Sequence, residues 1–339
     1  MTANTVNGSG NGARSGAQTL TLLSRPLNCL ILRSLADGPK QQATLRRQAG
    51  SPAQTTLRAQ LKRLAEVGAI VKHRRNRFPG VLEYELTASG RDLLFVATVL
   101  ERWLSRAPEG PLPFGSNAAK AAIKALVEGW STSMLRALAA RPLSLTELDS
   151  VIGSLSYPAL ERRLGAMRLS GQVEACPANG RGTPYGVTNW VRSGVAPLIA
   201  AVRWEQRHQP GESPPPTSID VEAAFLLAVP LLRCPDDLTG ACQMAVVISG
   251  KGKQRLAGIA IEIVNGRIAA CSTRLRMHPD TSAAGPLCAW LSAVIDAPSG
   301  ELNLSGDRPL AHALLTGLHE VLFENALDVN EVIGKDRSN

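Results

Sequence analysis

Two sets of polar and cationic side chains between Ser51 and Arg77 have the chemistry to contact a nucleic acid, because hydroxyl, amide, guanidinium and ammonium groups bind base edges and phosphates. The first set lies on one side of a predicted helix and comprises Thr55, Thr56, Arg58, Gln60, Lys62 and Arg63. The second set comprises Lys72, His73, Arg74, Arg75 and Arg77, four of which are positively charged with no acid among them. Such charges repel one another unless they meet a polyanion, so these residues predict contact with double-stranded DNA.

Helix and strand signals indicate which elements would present the two sets. Ser51 can cap a helix, Pro52 suits its first turn, and a leucine face opposite the polar set is formed by Leu57, Leu61 and Leu64. Gly68 can end this helix, after which residues 69–72 and 81–86 read as two strands joined by a basic turn. The pattern predicts a recognition helix followed by a basic wing. The alternative is an ordinary amphipathic helix with a solvated charged face.

The flanking segments are predicted to be helical and to support this recognition helix. Helices are expected at 26–36 and 43–49, and Thr87 can cap a longer helix over 88–105. The long helix has a broad apolar face that ends at Trp103 and Leu104, and such a face needs another helix to cover it.

The same plan recurs about one hundred residues later. At an offset of 103, the matching pairs are Leu32 with Leu135, Leu35 with Leu138, Pro39 with Pro142, Leu45 with Leu148, Gly50 with Gly153, Leu57 with Leu160, Leu61 with Leu164, and Gly68 with Gly171. Beyond the hairpin the offset is 101, and it relates Tyr84, Thr87 and Trp103 to Tyr185, Thr188 and Trp204. The sequence therefore predicts a tandem duplication whose two long helices, at 88–105 and 191–207, pack together as a pseudo-dimer within one chain.

The second copy has fewer candidate DNA contacts than the first. Its expected contacts are Ser156, which would also cap the third helix, together with Tyr157, Arg162, Arg163 and the single wing arginine, Arg181. Glu161 stands where the first copy has Arg58, which reverses the charge at that position. Two interpretations remain open: the second copy binds DNA more weakly, or it serves as the built-in partner of the first.

The order of helices and hairpin, with Leu82-Glu83-Tyr84-Glu85-Leu86-Thr87 and Gly90 as its most specific segment, resembles the HxlR group of winged helix-turn-helix regulators. The resemblance covers roughly 25–106 and, more loosely, 125–208. It implies a bacterial transcription regulator that binds DNA as a dimer and has no enzymatic activity. Because this chain carries two copies, a monomer acting as a pseudo-dimer and a homodimer are both expected possibilities.

The last third of the chain is predicted to be a different kind of domain. A proline-rich linker at 209–218 leads to residues with four more acidic than basic side chains, whereas residues 1–115 carry nine more basic than acidic side chains. Helices are expected at 221–229, 286–295 and 309–323, and strands at 240–249, 255–264, 267–275 and 301–305, with Asn265-Gly266 as a hairpin turn. The fold class is therefore α+β and multidomain.

The meander around Asn265-Gly266, the Trp290 helix and Leu302 to Asp307 before an apolar helix resemble the sterol carrier protein type two fold. This resemblance implies an apolar tunnel, and a small apolar effector would contact Met244, Val246, Ile248, Ile261, Ile263 and Trp290. A domain packed solid with its own side chains is the alternative. The expected organisation is a disordered tail at 1–20, winged helix domains at 21–110 and 118–208, the linker, and a sterol-carrier-like domain at 219–330.

Several other kinds of chemistry find no support in the sequence. The six cysteines lack close-pair spacing and suit a reducing cytoplasm, and His312 and His319 are seven residues apart, too far for the usual metal pair. Residues 249–253 are basic and glycine-rich, but they lie between two predicted strands and suit a hairpin loop better than a phosphate loop. No catalytic residue, metal, cofactor or membrane partner is expected. The main rival to DNA binding is a protein-interaction scaffold built from winged helices.

Overall fold

The computed structural model describes residues 14–74, 82–129, 133–153, 155–177, 182–250, 253–296 and 301–324, and it has the mixed helix and strand content of an α+β protein. The first unit contains α1 (Ala17–Leu23), α2 (Pro26–Ala36), β1 (Lys40–Gln41), α3 (Gln42–Gln48), α4 (Gln54–Glu66), β2 (Ile70–Arg74), β3 (Leu82–Leu86) and α5 (Ala88–Ser105). Its antiparallel sheet has the order β1-β3-β2. The helices and the hairpin therefore follow in the order that the sequence predicts.

The predicted start of the recognition helix is wrong by two residues. Ser51 does not cap it: Ser51 has a left-handed backbone with a φ of 56°, and the helix begins at Gln54 after Ala53. Its end is as predicted, because Gly68 adopts a φ of 70° and the chain turns there into β2. A residue with a left-handed backbone ends a helix with least strain when it lacks a Cβ, which explains the glycine.

Part of the expected disordered tail is helical. Residues 17–20 belong to α1, whose apolar side chains are buried. The buried carboxylate of Glu205 accepts hydrogen bonds from the backbone N–H groups of Gly16 (2.6 Å) and Thr19 (3.1 Å). A carboxylate stabilises a helix N-terminus, where these donors have no partner within the helix, so a residue 189 positions away fixes α1.

A second unit repeats this order of elements. It contains α6 (Asn117–Gly129), α7 (Ser133–Ala140), α8 (Leu145–Val151), α9 (Tyr157–Leu169), β4 (Val173–Ala175), β5 (Tyr185–Val187), α10 (Asn189–Ser193) and α11 (Val195–His208). An isolated bridge between Leu143 and Tyr185 occupies the place that the Lys40–Tyr84 pair has in the first unit. Ser156 precedes α9 as predicted, although its side chain makes no capping hydrogen bond.

The predicted long helix at 191–207 is divided in two at Gly194. A Cβ at this position would lie 3.0 Å from the Leu126 side chain and 3.2 Å from the indole nitrogen of Trp103. A Cβ here would push these side chains by a few tenths of an ångström, so the close packing of Leu126 and Trp103 favours a glycine. The helix resumes as α11 immediately afterwards.

The C-terminal domain is a five-stranded sheet with three helices. It contains α12 (Ser218–Ala228), β6 (Gly240–Gly250), β7 (Lys253–Val264), β8 (Arg267–Ser272), β9 (Ser282–Pro286), α13 (Leu287–Ile295), β10 (Asn303–Ser305) and α14 (Arg308–His319), which continues as a π-helical turn at Glu320–Glu324. The sheet order is β10-β9-β6-β7-β8, and only the β6–β9 pair is parallel. Asn265 and Gly266 both have positive φ and form the predicted turn between β7 and β8.

The C-terminal domain contacts both preceding units directly. Arg136 of α7 pairs with Glu222 of α12 at 2.6 Å, and Arg203 of α11 pairs with Asp296 at 2.7 Å. The rings of Phe95 on α5 and Phe323 stack with centroids 6.2 Å apart. The domains are therefore joined through packed side chains in addition to the proline-rich linker at 209–218.

Candidate nucleic-acid interface

Helix α4 separates an apolar face from a cationic face. Leu57, Leu61 and Leu64 are fully buried in the core of the first unit. The side chains on the opposite face are exposed, and they include Thr55, Thr56, Arg58, Lys62 and Arg63. Gln60, which the sequence placed with this polar set, is instead buried at 8% exposure. The remaining five have the exposure that contact with a major groove requires.

Arg46 holds the turn that leads into α4, a role that the sequence analysis missed. Its Nε donates to the carbonyl of Pro52 at 2.9 Å, and its own carbonyl accepts from the N–H of Ser51 at 2.8 Å. These two bonds fix the left-handed Ser51 and therefore the position where α4 starts. In the sequence, the only sign of this role is a basic residue four positions before Gly50. Residue spacing does not show that its side chain binds the Pro52 carbonyl.

The basic residues in the described part of the wing differ in exposure. His73 is half-buried between Glu83 (4.0 Å) and Glu85 (3.7 Å) on the neighbouring strand, while Arg74 is exposed at the end of β2. Arg75 and Arg77 lie outside the described residues. Lys72 and Arg74 are therefore the exposed cations of the described part of the wing, and both lie on β2, the strand that follows α4.

Thr87 links the end of α4 to the start of α5. Its hydroxyl donates toward the carbonyls of Gly68 (2.7 Å) and Ala69 (3.0 Å), and its oxygen accepts from the N–H of Gly90 (3.0 Å). A Cβ on Gly90 would lie 2.1 Å from the Ala69 carbonyl oxygen, so this approach requires a glycine. The end of the candidate recognition helix is thus fixed to the long helix that follows the wing.

The second unit uses Thr188 in the same way. Its hydroxyl lies 2.8 Å from the Gly171 carbonyl, and its oxygen accepts from the N–H of Val191 at 3.4 Å. On α9, Tyr157, Arg162 and Arg163 are exposed, as is Glu161. Arg181 lies outside the described residues. The threonine contacts of the first unit therefore recur in the second unit, but the exposed face of α9 carries both acidic and basic side chains.

Helices α5 and α11 pack against each other, and tryptophans join the two units. The Trp103 indole donates to the carbonyl of Trp190 at 2.8 Å, and the Trp204 indole donates to the carbonyl of Ser89 at 2.8 Å. The offset of 101 positions relates the donor Trp103 to the donor Trp204, and the acceptor Ser89 to the acceptor Trp190. The two contacts are therefore equivalent: each unit donates one such bond to the other unit and accepts one in return. Contacts of this reciprocal kind are what a two-fold axis produces.

Further contacts strengthen the same interface. The indoles of Trp103 and Trp190 stack with centroids 4.8 Å apart, and Trp190 donates back to the Trp103 carbonyl at 3.0 Å. Gln209, just after α11, donates to the carbonyl of Val67 at 3.0 Å. Val67 is the C-cap residue of α4, so the segment that follows the second unit contacts the end of the candidate recognition helix directly.

The six candidate ligand-binding residues of the C-terminal domain do not surround one cavity. Val246 and Trp290 border an apolar cavity of about 80 Å³ between α11, α12 and α13. Met244 and Ile263 are packed in the interior, Ile261 borders a separate shallow depression with Cys242 and Arg276, and Ile248 is half-buried. Trp290 donates to the Ala245 carbonyl at 2.8 Å and meets Phe225 edge-on at 5.1 Å, which holds its ring in place.

The cysteines form no disulfide bonds, and burial makes four of them harder to deprotonate. Burial raises the pKa of Cys29 and Cys242 to about 12 and that of Cys271 to about 11, and it also raises the pKa of Cys234. A thiol must lose its proton to act as a nucleophile or a metal ligand. In the described ranges, no group of three or more His, Cys, Asp and Glu side chains is arranged to hold a metal ion. Among the described helices, none has both the length and the apolar character to span a bilayer.

Comparison with known proteins identifies the first unit. A comparison with curated proteins gives no match. Among solved structures, the reduced form of the transcriptional regulator YodB from B. subtilis is 26% identical over 27% of this chain and 90% of its own, with a TM-score of 0.26. Diamide-treated YodB is 27% identical over 25% and 85%, with a TM-score of 0.24. The HxlR-like helix-turn-helix family model matches residues 22–109, and this segment is therefore an HxlR-like helix-turn-helix domain.

Proposed function

We propose that this chain is a sequence-specific, double-stranded DNA-binding transcription regulator. The observation that carries the proposal is the division of α4, within the matched HxlR-like domain, into a buried leucine face and an exposed face with Arg58, Lys62 and Arg63. Arginine and lysine on such a face can reach base edges and phosphates in a major groove. The Arg46 turn and the Thr87 contacts support it, because they fix both ends of this helix.

The second unit completes the proposed binding surface as a pseudo-dimer partner. Support comes from the repeated element order, the equivalent hydroxyl contacts of Thr87 and Thr188, and the reciprocal indole contacts of Trp103 and Trp204. One chain would then present two helices to half-sites about 10–10.5 base pairs apart. The two half-sites would differ in sequence, because Glu161 replaces Arg58 on α9.

The C-terminal domain is proposed to regulate DNA binding through its contacts with α5, α7 and α11. The apolar effector expected from the sequence would occupy the cavity beside Val246 and Trp290. Ligand sites usually have about 300–1,000 Å³, so an effector of ordinary size would need this cavity of about 80 Å³ to expand. Native mass spectrometry of the protein from its own host would show a co-bound apolar molecule if the cavity is used in this way.

Selection from a random duplex pool followed by anisotropy titration tests DNA recognition. We expect a preferred duplex that binds at least a hundredfold more tightly than the pool, since specific sites typically exceed non-specific binding by about 10³–10⁷. Replacing Arg58 or Arg63 with Gln should weaken the preferred duplex more than the pool. Arg106→Gln is the matched control, because Arg106 is also exposed but lies at the far end of α5. A chain that shows no preference for any duplex would refute the proposal and leave the scaffold alternative.

A further inference from the structure

A second cavity lies between the second unit and the C-terminal domain, and the proposed function does not use it. Its volume is about 610 Å³, which is within the range of about 300–1,000 Å³ that is usual for small-molecule sites. One wall is formed by the end of α7, Pro142 and Arg192, and the other by residues within 230–236 and most of β8. Two domains therefore contribute to the same cavity.

The lining of this cavity is strongly cationic. It contains four arginines, namely Arg141, Arg192, Arg233 and Arg267, but a single acidic residue, Asp236. Arg141 is already paired with Glu147 at 3.0 Å. For the other three, no carboxylate of the described residues lies within 4.0 Å of the guanidinium group. The positive charges that line the cavity therefore outnumber the negative charges close to them.

Arg192 is the most informative of the three because it is half-buried. Its guanidinium donates only to main-chain carbonyls, those of Leu226 at 3.0 Å and Ala139 at 3.4 Å and 3.5 Å. Burial lowers the pKa of Arg192, but a guanidinium keeps its proton in proteins, so the charge remains. Glu174 acts on it only from a distance. A desolvated charge with no counter-ion is destabilised, and an anion in the cavity would remove that penalty.

We propose that this cavity binds a small anionic molecule carrying carboxylate or phosphate groups, held by the half-buried Arg192 and the exposed Arg233 and Arg267. Guanidinium groups bind both anions through two parallel hydrogen bonds, which distinguishes them from lysine at such a site. The ligand would contact α10 and the C-terminal domain together and so favour the arrangement in which they are docked. The binding itself does not depend on DNA recognition and can be tested without it.

Calorimetric titration of the full chain at constant ionic strength tests the proposal, with citrate and inorganic phosphate as probes and the uncharged trimethyl ester of citrate as the control ligand. We expect saturable binding of one molecule per chain for at least one anion and none for the ester. Arg192→Gln should weaken that binding at least tenfold. Arg106→Gln removes an exposed charge that does not line the cavity, so it should leave the binding unchanged.

A second variant keeps the test decisive if Arg192→Gln does not fold. The double variant Arg233→Gln/Arg267→Gln changes exposed side chains only and should also weaken anion binding at least tenfold, with an unchanged circular dichroism spectrum. The proposal is overturned if neither anion binds the wild-type chain, or if Arg106→Gln weakens binding as much as the cavity variants do. It is also overturned if duplex DNA displaces the anion and the double variant flattens the salt dependence of DNA binding, since these arginines would then contact DNA phosphates.

Discussion

Replacing Trp103 and Trp204 with Phe, one at a time, tests whether the two units are joined by equivalent contacts. Each indole donates a hydrogen bond of 2.8 Å to a main-chain carbonyl of the other unit, Trp190 and Ser89 respectively. Phenylalanine keeps a buried ring at each place and removes the donor. If the units are related by a pseudo-two-fold axis, both substitutions should lower stability, and Trp103→Phe somewhat more because the Trp103 indole also stacks on Trp190.

The expected loss of unfolding free energy depends on which hydrogen bonds the Trp190 and Ser89 carbonyls keep after the substitution. The Trp190 carbonyl still accepts a hydrogen bond from the hydroxyl of Ser193 at 2.8 Å. Ser89 lies in the first turn of α5, where a carbonyl accepts from a backbone N–H of the same helix. Neither carbonyl is left buried without a partner, so the loss is that of one net hydrogen bond, about 0.5–1.5 kcal/mol. The smaller apolar area of phenylalanine adds to this, and we expect each variant to lose about 1–2 kcal/mol of unfolding free energy.

Urea unfolding followed by circular dichroism measures this loss without relying on tryptophan fluorescence. The midpoint should fall while the dependence of the free energy on urea stays the same. Trp290→Phe is the matched control, because its indole also donates to a carbonyl at 2.8 Å but lies within the C-terminal domain. It should lower stability without changing the binding of a duplex with two half-sites. A midpoint that moves for Trp103→Phe but not for Trp204→Phe, or the reverse, would refute the equivalence of the two contacts.

Four further outcomes are expected. Replacing Arg74, Arg75 and Arg77 with Gln should weaken binding to all duplexes and flatten the slope of log affinity against log salt by about 0.9 per lost phosphate contact, and an unchanged slope would exclude the wing from the DNA contact. Gly90→Ala should lower the unfolding free energy by about 1–3 kcal/mol because its Cβ would collide with the Ala69 carbonyl, whereas Gly153→Ala, with open space around its Cβ, should not. Glu147 accepts hydrogen bonds from Ser144 and Arg141, which lower its pKa from 4.5 to about 2, so its contribution to stability is complete above pH 4.5 and is lost as the pH falls toward 2. The difference between wild type and Glu147→Gln in urea midpoint should therefore shrink across that window, and a constant difference would contradict the assignment. Iodoacetamide at pH 8 should modify the exposed Cys288 and spare Cys29 and Cys242 in the folded chain, as mass spectrometry of the peptides would show.

Local periodicity was enough to predict most elements of the fold. The helix Pro26–Ala36 and the helix Ala88–Ser105 with its Thr87 cap lie where the sequence places them, because leucine spacing and capping residues are local signals. Strand β9 was missed, since its sequence of Ser, Ala, Ala, Gly and Pro has weak strand propensity and is held by pairing with β6 and β10. Helix α1 was missed for a similar reason, because Glu205, far away in the chain, binds its N-terminus.

The candidate sites were predictable to different degrees. Exposure on α4 follows from helical spacing, so Arg58, Lys62 and Arg63 could be identified from the sequence, while the burial of Gln60 depends on how the unit packs. The arginines of the 610 Å³ cavity come from four separate segments of the chain. No spacing rule could have brought Arg192 and Arg267 together, and the proposed anion site could be found only in three dimensions.

The covalent joining of the two units has a consequence for how the regulator would be placed on DNA. In a homodimer, every substitution appears on both sides of the axis, so the protein reads the same in both directions along the duplex. Here Glu161 is the counterpart of Arg58, so the two sides differ in charge, while the bonds donated by Trp103 and Trp204 are equivalent on both sides. A chain of this kind would bind an asymmetric operator in a single orientation and would point its C-terminal domain toward one defined side of the promoter.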